Sequence, residues 1–109
     1  MLQHYRSGDT LAVRLGGELD HFCAQRVRRE LDTLLTDPGV RTLVLDFSEL
    51  TFMDSSGIGV LLGRYRILRE RGGRMGVINM NPHIGRIFHM SGLERVITQL
   101  DKEKQEAHS

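Results

Sequence analysis

Residues 43–47, Leu-Val-Leu-Asp-Phe, form a nearly continuous apolar run too short to be a helix of its own. A helical stripe follows closely, in which Ile58, Leu61, Leu62, Tyr65 and Leu68 recur at the spacing of one helix face. A further apolar run, Met75 to Met80, comes next. Neighbouring parallel strands need a crossover, usually helical, and that crossover is right-handed in nearly all folds. The pattern therefore predicts a parallel sheet in which Leu43–Phe47 is a central strand covered on both faces. At 109 residues the chain has room for one such domain.

The remaining segments fit around this unit. Residues 2–6 and 10–15 read as two strands paired across the turn Ser7-Gly8-Asp9, the second stopped by Gly16-Gly17. A helix is predicted from Asp20, as N-cap, through Cys23, Val27, Leu31 and Leu34, ending at Asp37-Pro38-Gly39. The central helix starts after Asp54 and stops at Gly72-Gly73. Asn81-Pro82 is a cap followed by a first-turn proline, opening a helix through Ile84, Ile87 and Phe88 that Ser91-Gly92 ends. Val96 to Leu100 reads as a last strand. The order β-β-α-β-α-β-α-β predicts an α/β fold: a mixed β-sheet of four to five strands with helices packed on it, one domain over residues 1–109. Aromatics make up 6% of the chain and Trp is absent, so the core must be aliphatic.

Several chemistries lack their residues. A formal net charge of +1 provides no footprint for nucleic acid. His4, His21, His83, His89 and His108 are scattered without metal-ligand spacing, so no metal and no cofactor are expected. No stretch approaches the apolar length of a membrane span, no apolar leader segment is visible, and a lone Cys23 fits a reducing compartment. Together these predict a cytoplasmic protein without membrane partners. Cys23 reads as a small buried hydrophobe on its helix, and Met53, Met80 and Met90 as core fillers. Ser55 and Ser56 lack the flanking glycine of a nucleophile elbow, no lysine completes a phosphate-binding loop, and the dinucleotide glycine spacing is absent. An enzyme is not expected.

What stands out is Asp54-Ser55-Ser56-Gly57-Ile58-Gly59, at the junction of strand and helix. Capping a helix takes one polar residue, and close packing takes one glycine. A serine at this end could carry a phosphate, because the first N–H groups of a helix lack partners and its dipole favours an anion there. Gly57 and Gly59 would then keep the hydroxyl clear for an approaching protein. The residues themselves do not choose between Ser55 and Ser56. At 100° per residue, Gly59, Val60, Gly63 and Ile67 lie off the apolar stripe, on a face that either another element covers or a partner docks against.

Gly17–Gln25 (GELDHFCAQ), Leu43–Arg66 (LVLDFSELTFMDSSGIGVLLGRYR) and Phe88–Val96 (FHMSGLERV) resemble the STAS domain of anti-sigma factor antagonists, nearest their sporulation branch. The resemblance spans about residues 9 to 100. It implies a regulator rather than an enzyme. In its unmodified form such a domain binds an anti-sigma factor with serine kinase activity and frees the sigma factor; phosphorylation by that kinase ends the binding, and a PP2C-type phosphatase restores it. The serine directly after the acid, Ser55, is the implied phosphorylation site, with Ser56 in a structural place. Asp20 and His21 are implied to lie on the partner-facing surface, and with the serine helix residues Asp54, Ser56, Gly57, Gly59, Val60 and Gly63 they make up the expected partner-binding set. Phe22 stands where the family often has a second histidine, and residues 101–109 are expected to be a polar tail or a short terminal helix. The alternatives are an antagonist serving another sigma system, such as the general stress response, or a non-switching STAS module associated with a transporter or lipid system.

Overall fold

The structure, a computed structural model, describes residues 2–101. Five strands and three helices follow in the predicted order. They are β1 (Leu2–Ser7), β2 (Thr10–Leu19), α1 (Ala24–Leu34), β3 (Thr42–Met53), α2 (Ser55–Glu70), β4 (Arg74–Ile78), α3 (Pro82–Met90) and β5 (Thr98–Gln99), with a short 3-10 turn at Leu93–Arg95. The sheet order is β1-β2-β3-β4-β5; β1 pairs antiparallel with β2, and every later pair is parallel. The tail beyond residue 101 lies outside the described residues.

Each parallel crossover steps to the next strand in the same direction. Right-handedness then places all three helices on one side of the sheet. Leu43, Leu45 and Phe47 are fully buried beneath them. Val44 and Asp46, alternating with these, face the other side and stay half-buried. The central strand is thus covered on one face among the described residues, not on both as its apolar run suggests. The core joins Leu11, Val13 and Leu15 of β2 and Met75 and Val77 of β4 to Leu61 and Leu68 of α2 and Phe88 of α3. On the opposite face, Tyr5, Ala12, Val44 and Ile78 line a shallow groove of about 240 Å³ beside the Arg14–Asp46 ion pair. Burial pushes the Asp46 pKa up, but hydrogen bonds from Ser48, Asn79 and Arg14 outweigh it and hold the carboxylate below its usual range.

Strand β2 does not stop at Gly16-Gly17. It continues to Leu19, with register shifts against β3 on either side of the glycine pair. Gly17 adopts a φ of 79°, a left-handed conformation that glycine takes without penalty and that lets the strand bulge rather than end. The extension carries the chain up to the start of α2. Helix α1 begins at Ala24 rather than beside Asp20. The Asp20 carboxylate instead accepts from the N–H groups of Phe22 and Cys23, both at 3.0 Å, and caps the turn that leads into the helix. Cys23 occupies the N-cap position, on the side of Val27, and is half-buried rather than buried within the helix. Its thiol pKa is pushed up, by desolvation first and by Asp20 second, which disfavours a thiolate. Met53 is buried and Met80 packs on the core, but Met90 is exposed at the end of α3. Asn81 caps α3 as expected, its side-chain oxygen accepting from Ile84 N–H at 2.8 Å.

Candidate functional site

The end of β2, the turn after it and the start of α2 meet at one corner of the sheet. Asp54 joins them. As the α2 N-cap it accepts from Ser56 N–H at 2.9 Å through Oδ1, and its Oδ2 accepts from His21 N–H at 3.2 Å. One carboxylate thereby satisfies the helix start and fastens the Asp20–Cys23 turn beside it. Ser55 is the first helical residue and is exposed; Ser56 is half-buried. Beside them Phe22 is 89% exposed, its ring edge-on to His21 at 5.6 Å between centroids.

Among the glycines, the structure assigns Gly57 a different role from the one its position suggests. It is buried, and a Cβ there would lie 2.6 Å from the Leu19 carbonyl oxygen and 2.7 Å from Met53 Cγ. It lets α2 press onto the end of β2, and it leaves no surface for a partner. Val60 is also buried, at 6% exposure, because α1 packs against that shoulder of α2. The face on which it was grouped is therefore split. Gly59 is exposed, Gly63 is half-buried, and a Cβ at either would meet nothing within 4 Å.

Between α1 and α2 runs a groove of about 530 Å³. From the α2 side Ser56, Gly59, Val60, Gly63 and Arg64 line it; from the other side come His21, Ala24, Gln25 and Arg28. Of the residues expected to face a partner, His21, Ser56, Gly59, Val60 and Gly63 come together here, with Asp20 and Asp54 holding the adjoining turn. Sequence reasoning missed Arg28 and Arg64. Arg64 is only 7% exposed, and its Nε lies 3.1 Å from Asp32 Oδ1 on α1. The two groups form an ion pair without hydrogen-bond alignment: Arg64 Nε, Arg64 Nη1 and Asp32 Oδ1 are all buried without a hydrogen-bond partner among the described residues. Desolvation lowers the pKa of this guanidinium; Asp32 opposes that, and Arg28 adds to it. The available signal was the spacing 56, 59, 60, 63, 64, which puts three small residues and an arginine on one side of a helix. Among the described residues no group of His, Cys, Asp or Glu could hold a metal ion, and no helix is long and apolar enough to cross a membrane.

The model of the STAS domain matches residues 2–107. This chain belongs to the STAS domain family. The domain is 41% identical over 102 residues to the anti-sigma F factor antagonist of Paenibacillus polymyxa, covering 94% of this chain and 86% of that one. It is 29% identical over 92 residues to the anti-sigma-B factor antagonist of Listeria monocytogenes, covering 84% and 80%. The anti-sigma factor antagonist SpoIIAA in its unphosphorylated form superposes on this STAS domain with a TM-score of 0.78 at 35% identity, over 91% of this chain and 87% of that one. The phosphorylated form of SpoIIAA from Bacillus gives 0.71 at 33% identity, over 99% and 98%.

Proposed function

We infer that this STAS domain is an anti-sigma factor antagonist of the sporulation type, switched by phosphorylation on Ser55. In the unmodified state it binds an anti-sigma factor that is also a serine kinase and so releases the sigma factor. Phosphate on Ser55 ends that binding, and a PP2C-type phosphatase restores it, all in the cytoplasm. The observation that carries this reading is Ser55 itself. It is the exposed first residue of α2, set beside a turn that Asp54 holds in place, in a chain similar to an antagonist solved with and without phosphate.

The physics of the switch is local. Phosphorylation adds about 1.5 to 2 negative charges at one point. The α2 N-terminus stabilises them within the domain. Against a partner, the same charges sit next to Asp54 and must be desolvated. A loss of about 3–4 kcal/mol weakens binding several hundredfold, enough to reverse a competition between partners.

The test is phosphopeptide mapping after incubation with the cognate anti-sigma factor and ATP, on wild type, Ser55→Ala and Ser56→Ala. Phosphate on Ser55, absent only from Ser55→Ala, is the expected result. Phosphate on neither serine, or on Ser56 alone, defeats the reading. The similarity to an anti-sigma-B factor antagonist supports a second reading, service to another sigma system by the same chemistry. Binding measured against both kinds of anti-sigma factor decides between them.

A further inference from the structure

Helix α2 contains glycines its own fold does not require. Gly57 has no room for a side chain, whereas Gly59 and Gly63 face open space. Both lie inside a 16-residue helix, where alanine is the better residue on backbone grounds. Nothing in the chain packs where their side chains would be, so the isolated domain gains nothing from them. With Ser56 and Val60 they follow the spacing i, i+3, i+4, i+7 and make one wall of the groove against α1.

A second, independent feature lies in the same groove. Arg64 is more than nine-tenths buried; its Nε and Asp32 Oδ1 face each other as an ion pair without a formed hydrogen bond, and its Nη1 has no acceptor at all among the described residues. Buried donors are nearly always satisfied, and a spare one on a guanidinium marks a place where an acceptor is missing. Asp32 answers one charge. Arg28 on the facing helix is exposed and adds another. The groove therefore keeps one positive charge in excess and a fork that suits a carboxylate. Ser55 cannot supply the anion from within the chain. Nine positions along a helix separate it from Arg64, about 13 Å at 1.5 Å per residue.

We propose that the α1–α2 groove seats a segment of the anti-sigma factor that lays its backbone on Gly59 and Gly63 and delivers an aspartate or glutamate side chain to Arg64 and Arg28. This rests on the reading of the chain as an anti-sigma factor antagonist and adds the chemistry of its partner. The glycines give close approach, and the arginines select the charge. The assignment also sharpens the switch. Ser56 lines the groove, so a phosphate on Ser55 stands at its mouth and repels an occupant that is itself acidic.

The test measures thermal unfolding of unmodified wild type, Gly63→Ala, Gly59→Ala, Arg28→Glu and Arg64→Lys, together with their affinity for the cognate anti-sigma factor by calorimetry. The two alanine variants are expected to unfold at the wild-type temperature or a few degrees above it, yet to bind roughly tenfold or more weakly. Arg28→Glu, on the surface, is expected to fold normally and lose at least about tenfold. Arg64→Lys keeps a charge against Asp32 but lacks the fork, and should bind more weakly than wild type. Wild-type affinity in all four variants, or a lowered unfolding temperature in both alanine variants, overturns the groove assignment while leaving the functional reading in place. If the wild-type chain itself fails to bind any anti-sigma factor, the functional reading falls and the assignment falls with it.

Discussion

The two ends of α2 are fixed to the sheet by opposite means. At the carboxyl end the fastening is largely backbone. Gly73 N–H donates to the Leu68 carbonyl at 2.7 Å, Arg74 N–H to the Arg41 carbonyl at 2.8 Å, and a Cβ on Gly73 would lie only 2.0 Å from that Arg41 oxygen. Arg71 adds one guanidinium shared among the carbonyls of Leu35, Asp37 and Val40, which tie α2 to the loop between α1 and β3. At the amino end the backbone gives one long bond, from Asp54 N–H to the Leu19 carbonyl at 3.4 Å, beside the close approach at Gly57. The Asp54 carboxylate makes both side-chain fastenings, and the serine beside it remains in water. One end closes the fold and leaves no atom free to change. The other is held firmly enough to present a hydroxyl without covering it.

Substitutions can break this contrast in order of size, all read from the midpoint of denaturant unfolding. Gly73→Ala drives a methyl into a backbone oxygen of the neighbouring strand's entry and is expected to cost about 3 kcal/mol or more, the largest effect. Arg71→Ala leaves part-buried carbonyls without their shared donor, an expected loss of about 2–3 kcal/mol. Gly57→Ala gains helix propensity but collides with the Leu19 carbonyl, for a net loss of about 1–2 kcal/mol. Asp54→Ala removes a cap and is expected to cost about 1 kcal/mol. If Asp54→Ala proves costlier than Arg71→Ala, the Asp54 carboxylate bears more of the fold than its two hydrogen bonds suggest, and the contrast between the ends fails.

The order of elements was legible because period-2 and period-3.6 apolar patterns are local properties of the chain. What the patterns missed lies between elements. Gly16-Gly17 looks like a stop, but a paired neighbour strand can carry a bulge across it. Val60 sits on one shoulder of the α2 stripe, and only the placement of α1 decides that this shoulder is the covered one. Arginine is exposed by default, so nothing along the chain marks Arg64 as buried; its contact with Asp32, far off in sequence but adjacent in the fold, does that. Gly57 and Gly59 are indistinguishable as letters, and their opposite surroundings appear only once Leu19 is placed above one of them. At the site, the DSSGIG segment and its acid cap were readable as a feature, while the groove beside it was not.

The bridge that Asp54 builds has a consequence for how a signal leaves this molecule. Two segments more than thirty residues apart in sequence, the turn holding His21 and the helix holding Ser55, are cross-braced by one side chain. Neither needs to become ordered when something docks, so little conformational entropy is lost on contact. On the switch reading, modification of Ser55 then has no hinge to turn and no loop to release. The message is written in charge alone, on a surface whose shape stays the same, and it is legible only to a partner that comes within a Debye length, about 8 Å at physiological salt.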